Sequence, residues 1–366
     1  MINQKEITVE WLVQASKKQR NIDKILVEKL IRALLLLEGL AKQNINFVFK
    51  GGTALMLHFN STKRLSLDID IVLPQEVENF ETVLSNIITT QGFLRWELQQ
   101  RTAHSNIRKE HYKFFYSPLY KTNYDETYVL LDVLYEKVNY RHLISMPIQS
   151  GFVPMIDNPL TVTVPGLDDI LGDKLTAFAP NTTGIPYFKH NDSMSMEIIK
   201  QLYDIGNLVD VVTDIETVKA TFHRFAHTEI SYRNTYQTSE DVLNDIYQTA
   251  LCLVTRGLDG SGNFSELQKG IQRIGNLIFS ENYHIEKAIT HATKAAYMAT
   301  LIRHNAVSTD KFDNLQQIKN LTIGEPMNTK LNKLKKSNPE AFFYWYRIYE
   351  IEKRIYSHPT HPTNMV

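Results

Sequence analysis

Two aspartates stand two positions apart, Asp68 and Asp70, shortly after the segment Gly51-Gly52-Thr53. Residues two apart on a β-strand project from the same face, so the two carboxylates would lie side by side. Neighbouring carboxylates repel each other unless a cation lies between them, and Mg²⁺ is commonly held by carboxylates together with substrate phosphates. The spacing therefore predicts a magnesium site for phosphoryl transfer, with a solvent-facing hairpin edge as the alternative interpretation.

A glycine turn precedes these acids. The apolar segment Phe47–Lys50 predicts a strand, and Gly51-Gly52 connects it to a predicted helix from Thr53 to Phe59. Glycines at the start of a helix allow backbone N–H groups to face an anion, because no Cβ blocks its approach. Thr53 suits the N-cap of this helix, and its hydroxyl could also reach a phosphate oxygen. Taken alone, such a turn is usually a tight connection; its order and short distance from the acids favour nucleotide binding.

The sequence resembles a known family in four stretches. Lys50–Leu57 (KGGTALML) and Lys63–Asp70 (KRLSLDID) are similar to the first motif of the AbiEii/AbiGii toxin family of nucleotidyltransferases, a branch of the polymerase-beta-like superfamily. Asp173–Ala177 resembles the family's lysine motif, and Lys200–Leu208 resembles its downstream motif. The resemblance covers about residues 24–215. It implies an α+β fold, in which a polymerase-beta-like core of mixed sheet and helices is followed by a mainly helical C-terminal domain.

The resemblance also implies roles for individual residues. Asp132 is the charged residue within the apolar segment Tyr128–Leu134, and it matches the third carboxylate that completes the metal site and accepts the proton of the attacking hydroxyl. A solvent-facing strand edge is the alternative. The implied metal ligands are Asp68, Asp70 and Asp132, and the implied nucleotide contacts are Gly51, Gly52, Thr53, Ser66 and Lys174.

Two motif residues have ordinary alternative explanations. A lysine is a mobile point charge suited to phosphates, but a helical lysine is usually a solvated surface group, so the resemblance alone favours Lys174 as a phosphate contact. Asp204 stands four residues after Lys200, which is typical of a surface salt bridge. The resemblance instead implies that Asp204 orients Lys174 or a substrate hydroxyl.

Hydrophobic periodicity predicts the remaining elements. We expect a nucleotidyltransferase domain with N-terminal helices over residues 1–215 and a helical C-terminal domain over residues 216–366. The predicted helices span residues 6–18, 23–43, 53–59, 80–90, 195–211, 241–256, 264–278, 284–304 and 339–357, and the predicted strands span 47–50, 67–73, 111–116, 128–134 and 160–164. The segment 165–177 is predicted to begin a further helix after a turn, with Asp168 or Asp169 near its cap.

Composition restricts the class of protein. The 366 residues are 43% hydrophobic and 22% charged, which is ordinary for a soluble globular protein. The single cysteine, Cys252, excludes an intramolecular disulfide and a cysteine-rich zinc site. Residues 1–6 lack the apolar core of a signal peptide, and the apolar run 34–37 is interrupted by Glu38. We therefore expect a cytoplasmic protein without a membrane partner.

Charge provides no general attraction to nucleic acid, because 40 basic residues balance 40 acidic ones. Any RNA contact must come from a local basic surface. The densest run is Lys330, Lys333, Lys335 and Lys336, and the alternative interpretation of this run is a solvated helix end.

The resemblance implies a toxin of a toxin–antitoxin or phage-defence system that transfers a nucleoside monophosphate from a nucleoside triphosphate to an acceptor hydroxyl and releases pyrophosphate. Mg²⁺ or Mn²⁺ would be the cofactor, the tRNA 3′ end the acceptor, and a cognate antitoxin encoded nearby the partner. Two alternatives remain open at this point. One is the same chemistry on an antibiotic or a protein hydroxyl, and the other is a nucleotide-binding module without turnover.

Overall fold

The computed structural model describes residues 1–59, 63–99, 108–120, 123–233 and 235–357. For residues 355–357 it describes the backbone alone. The chain forms two compact units. Unit 1 comprises Met1–Leu167 and Asn276–Asn282, and unit 2 comprises Asp168–Gly275 and Tyr283–Val366. The compact units thus divide after residue 167, while the functional boundary expected at residue 215 stays a prediction.

Unit 1 is built on a five-stranded sheet. The sheet order is β1-β2-β5-β4-β3, with β2 and β5 parallel and the other neighbours antiparallel; β6 and β7 form a separate antiparallel pair. The predicted mixed sheet is therefore confirmed. Its elements are α1 (Val9–Lys18), α2 (Lys24–Ala41), β1 (Val48–Lys50), α3 (Gly51–Phe59), β2 (Ile69–Leu73), α4 (Phe80–Gln91), β3 (Arg95–Leu98), β4 (Lys109–Tyr116), β5 (Thr127–Tyr135), β6 (Leu143–Pro147) and β7 (Thr161–Pro165).

The two faces of this sheet differ because side chains alternate along each strand. On β5, Val129, Leu131 and Val133 are at most 1% exposed, whereas Leu130 and Asp132 between them are only half-buried. The buried face joins one hydrophobic core with the leucine-rich α2 and with α4. The opposite face is thus left for polar side chains.

Unit 2 is mainly helical. Its central helix α10 is buried at every position from 288 to 302 and packs against α6, α8 and α13. Its elements are α5 (Leu167–Ala177, starting at the unit boundary), β8 (Phe188–Lys189), β9 (Asp192–Ser193), α6 (Ser195–Val209), α7 (Ile215–Arg233), α8 (Ser239–Val254), α9 (Phe264–Ile274), α10 (Ile285–Arg303), α11 (Asn328–Leu331), α12 (Leu334–Ser337) and α13 (Pro339–Ser357).

One short segment leaves unit 2 and completes unit 1. The backbone N–H of Leu65 donates to the carbonyl of Leu277 at 2.8 Å, and Arg64 forms a β-bridge with Ile278. The helix predicted to reach residue 278 was therefore wrong at its end, because α9 stops at Ile274 and the chain passes through a turn to the β-bridge at Ile278. Over the described ranges, no helix combines the length and apolarity needed to cross a membrane.

Candidate active site

The glycine turn lies against three polar side chains. Gly51 begins α3 with φ of +82°, and a Cβ added there would lie 2.2 Å from Oδ2 of Asp70. A Cβ at Gly52 would lie 2.7 Å from Nη2 of Arg64 and 2.7 Å from Oγ of Ser66. A side chain at Gly52 would displace the ends of the Arg64 and Ser66 side chains, whereas a side chain at Gly51 would displace Asp70 and would also strain the backbone at its positive φ. The turn brings a carboxylate, a guanidinium and a hydroxyl next to the half-buried backbone at the start of α3.

Thr53 has a different position from the one predicted. It is the third residue of α3 and is fully buried, so the prediction that it caps the helix was wrong. The helix begins two residues earlier because the positive φ of Gly51 lets the chain turn directly out of β1. The Thr53 hydroxyl donates to the backbone carbonyl of Asp68 at 2.7 Å. Thr53 thus ties α3 to the segment that enters β2, and its contact with a phosphate stays a prediction.

Strand register aligns four polar residues across the sheet. Asp70 is the register partner of Lys50 on β1 and of Asp132 on β5, and Asp132 is the partner of His111 on β4. Neighbouring strands lie about 4.8 Å apart, and register partners project from the same face. Lys50, Asp70, Asp132 and His111 consequently form one row on the polar face, beside the glycine turn.

The histidine of this row contacts the predicted third carboxylate. Nδ1 of His111 lies 2.7 Å from Oδ1 of Asp132, and the two side chains are 16% and 33% exposed. An ionised carboxylate can only accept, so Nδ1 carries the hydrogen in this contact. Sequence reasoning missed both His111 and Lys50. The alternation of His111 and Lys113 with the apolar Tyr112 and Phe114 was the signal that indicates the polar face for His111.

The carboxylate pair suits Mg²⁺. Asp70 and Asp132 are adjacent through register, and Mg²⁺ is usually bound by one or two carboxylates while substrate phosphates and water complete its octahedron. Asp68 lies one residue before β2 and is half-buried. Within the described residues, no group of three or more His, Cys, Asp or Glu side chains is arranged to hold a metal ion. The three-carboxylate site therefore stays a prediction, and the Asp70–Asp132 pair is the part that fits.

The lysine motif forms a buried contact within unit 2. Lys174 on α5 is only 8% exposed; its Nζ donates to Oε1 of Gln201 at 2.8 Å and lies 3.1 Å from Oδ2 of Asp204. Lys200 instead pairs with Glu197 at 2.7 Å, so the alternative of a Lys200–Asp204 surface salt bridge was wrong. Lys174 is thus a buried, paired cation rather than a solvated one. Its role at a phosphate and the role of Asp204 stay predictions.

Two members of the C-terminal lysine run are engaged within unit 2. Lys330 pairs with Asp259, and Nζ of Lys335 donates to the backbone carbonyls of Lys319 and Leu321. Such contacts support the packing of the helices around them. The run is therefore a weaker basic surface than its sequence indicates.

The sequence model of one family, the nucleotidyl transferase AbiEii toxin of type IV toxin–antitoxin systems, matches residues 35–268. This match spans more than half of the chain. The chain belongs to the AbiEii family. It is therefore a nucleotidyltransferase toxin of a type IV toxin–antitoxin system, and membership implies a nucleotide substrate and a cognate antitoxin.

Solved structures also resemble this AbiEii-family chain. One is a provisionally assigned nucleotidyltransferase from H. pylori, at 16% identity and a TM-score of 0.42, covering 80% of this chain and 97% of that one. Another is JHP933 from Helicobacter pylori, at 15% identity and a TM-score of 0.37, covering 76% of this chain and 91% of that one. A comparison with curated proteins found no match.

Proposed function

We propose that this AbiEii-family protein transfers a nucleoside monophosphate from a nucleoside triphosphate to an acceptor hydroxyl in a reaction that depends on a divalent cation. The observation that carries the proposal is the register pair Asp70–Asp132, which lies beside a glycine turn that Asp70 approaches closely at Gly51. A metal-binding pair and an anion-binding turn at one place are the parts that phosphoryl transfer needs.

Each polar group has a role in the proposed reaction. The acceptor oxygen forms a bond to the α-phosphorus while the bond to the β-phosphate oxygen breaks, and pyrophosphate leaves. Asp132 accepts the proton of the acceptor hydroxyl, and the hydrogen bond from His111 holds its carboxylate in place. Asp68, Asp70 and Asp132 would hold Mg²⁺ or Mn²⁺, which when bound offsets the negative charge that develops on the α-phosphate.

The phosphates are proposed to bind at the glycine turn. Backbone N–H groups at the start of α3 face an anion favourably, and the positive end of the helix dipole adds to this attraction. The guanidinium of Arg64 and the hydroxyl of Ser66 lie against Gly52 and are donors suited to phosphate oxygens. Lys174 is proposed, as the family's lysine motif implies, to contact a phosphate with its orientation set by Asp204.

The proposed acceptor is the 3′ end of tRNA. Modification of that end stops translation, which agrees with a toxin whose cognate antitoxin releases the block, and phage defence is the proposed setting. Transfer to an antibiotic hydroxyl or to a protein hydroxyl would instead assign a different acceptor.

The metal site is tested by the double variant Asp68→Asn/Asp70→Asn. The substitution keeps side-chain shape but removes the charges that attract the cation, so transfer should fall by about 100-fold or more with the fold intact. The control Asp125→Asn/Asp157→Asn removes the same charge from exposed positions of unit 1 and should behave as the parent. Circular dichroism and thermal melts accompany a labelled-nucleotide assay. Parental activity in the double variant at Asp68 and Asp70 would end the metal-site proposal.

The acceptor is tested by incubating the protein with each labelled triphosphate and total cellular RNA and protein, followed by mass analysis. We expect the label on the terminal nucleotide of tRNA. Label on protein alone, or on a small molecule alone, would reject tRNA as the acceptor while leaving the transfer chemistry in place.

A further inference from the structure

A second polar site lies in unit 1, at the C-terminal end of α1. It is a cavity of about 340 Å³ whose wall includes three cations, Lys18, Arg20 and Lys63. None of its lining residues is acidic. We call this site the basic cavity. In a protein of zero formal net charge, a cavity wall that includes three basic residues and no acidic one marks a local site for an anion.

The remaining wall contains hydrogen-bonding and aromatic groups. The side chains of Gln19, Gln149 and Ser150 contribute amides and a hydroxyl. Phe279 is half-buried, and its ring meets that of Phe152 edge to face with centroids 6.0 Å apart. Phe152 is only 1% exposed, so the ring that supports Phe279 is held rigidly by the core. Cations beside a supported aromatic ring are the combination that binds single-stranded nucleic acid, through its phosphates and stacked bases.

Two parts of the chain lead from the basic cavity to the candidate active site. They are the helix α3 and the residues Lys63 and Arg64. Met56 of α3 lines the cavity, and α3 begins at Gly51. Five residues of helix rise about 7.5 Å, which is roughly the length of two stacked nucleotides. Lys63 also directly precedes Arg64, whose guanidinium lies against Gly52. A strand held in the cavity therefore has its end within reach of the glycine turn.

The charges of this cavity differ from those of the C-terminal lysine run. Lys18 and Arg20 are exposed and make no ion pair within the described part of the chain. In the C-terminal run, Lys330 and Lys335 are held by a carboxylate and by backbone carbonyls. Solvated, unpaired cations bind phosphates with counterion release and without first losing an internal partner.

We infer that the basic cavity binds the single-stranded end of the RNA acceptor, with Lys18 and Arg20 on backbone phosphates and Phe279 stacked on an unpaired base. The inference rests on the proposed function for the need of an RNA acceptor, and it assigns the acceptor surface to unit 1 rather than to the C-terminal lysine run.

The test compares Lys18→Gln/Arg20→Gln with a matched control, Lys333→Gln/Lys336→Gln, which removes the same charge. Binding of a short fluorescent single-stranded RNA is followed by anisotropy over a salt series, without triphosphate or metal. Each lost phosphate contact lowers the salt slope by about 0.7, so the cavity variant should lose about 1.4 in slope and bind about 25-fold more weakly at 0.1 M salt. The control should bind as the parent.

A second variant separates base stacking from charge. Phe279→Leu keeps an apolar side chain but removes the stacking surface, so it should weaken RNA binding by about tenfold without changing the salt slope. Inorganic tripolyphosphate is the competitor that has charge without bases. It should displace RNA from the Phe279→Leu variant more readily than from the parent. Thermal melts of the two charge variants should match the parent because Lys18, Arg20, Lys333 and Lys336 are exposed. The melt of Phe279→Leu shows how much stability is lost with the ring contact to Phe152, and RNA binding is compared at a temperature at which this variant is folded.

Three results would overturn the inference. One is an unchanged affinity and salt slope in Lys18→Gln/Arg20→Gln; another is the same loss in the control pair, which would make the effect one of net charge. The third is equal competition by poly-glutamate at matched charge, which would make the cavity a surface for acidic polypeptides. Because binding is measured without triphosphate or metal, these results are independent of transfer: a loss of transfer in Asp68→Asn/Asp70→Asn has no bearing on the comparison of RNA binding between Lys18→Gln/Arg20→Gln and its control.

Discussion

Replacing Gly51 by alanine tests the contact on which the candidate site depends. Alanine at φ of +82° costs roughly 1–2 kcal/mol. Its Cβ would lie 2.2 Å from Oδ2 and 3.2 Å from Cβ of Asp70, so the carboxylate or the turn must move, at a further cost of about 1–3 kcal/mol. We expect Gly51→Ala to lower the free energy of unfolding of unit 1 by about 2–5 kcal/mol. Displacement of Asp70 should also abolish nucleotide transfer.

Gly92 is a matched control within the same unit. It caps α4 with φ of +72°, but the nearest atom to an added Cβ is Oε1 of Gln4 at 3.9 Å. Gly92→Ala should therefore cost only the conformational term, roughly 1–2 kcal/mol, and leave transfer unchanged. Urea denaturation followed by hydrogen exchange of unit 1 peptides measures both variants. Equal destabilisation by the two, or full activity in Gly51→Ala, would refute the close approach of Asp70 to the turn.

Three further predictions follow from individual contacts. Asp204→Ala leaves the buried ammonium of Lys174 without its carboxylate, and Lys174→Met leaves the buried carboxylate of Asp204 without its ammonium, so each should destabilise unit 2 by about 3–5 kcal/mol. The double variant Lys174→Met/Asp204→Leu leaves no unpaired charge and should cost clearly less; a loss in urea unfolding equal to the sum of the two single losses would contradict this. His111→Phe removes the donor to Asp132 and should lower kcat or the affinity for Mn²⁺ about 10- to 100-fold. His111→Asn keeps a donor and should retain most of the kcat and of the Mn²⁺ affinity. An equal loss in the two variants would reject a positioning role for His111. Burial lowers the pKa of His58 below its usual 6.5, so the unfolded chain takes up the proton first as pH falls. The stability that neutral His58 contributes is therefore present above about pH 6.5 and is lost below it, and His58→Gln should flatten the pH dependence of the urea midpoint between about pH 8 and pH 5.5.

Much of the fold was predictable because its signals are local. The helical spacing of leucines in α2 and the strand–glycine–helix order of β1 and α3 both appear in the structure close to their predicted limits. The missed strands, β3, β6, β8 and β9, contain no buried residue, so apolar alternation did not mark them. The contact of Leu277 with Leu65 joins residues far apart in the chain, and no local pattern specifies such a pairing.

The candidate site likewise contains some features that follow from local sequence and others that depend on long-range contacts. The sequence by itself determined that Asp68 and Asp70 follow a glycine turn, since a spacing of two and a pair of glycines are local properties of the chain. Only the tertiary structure decided that Asp132 lies beside Asp70 and that His111 contacts Asp132, because register is set by which apolar residues of distant strands enter the core together. It also decided that Lys174 is buried and paired. The sequence specifies that residue 174 is a lysine and carries a positive charge. Its burial and its ion-pair partner depend on the packing of α5 against α6, which are separate helices in the chain.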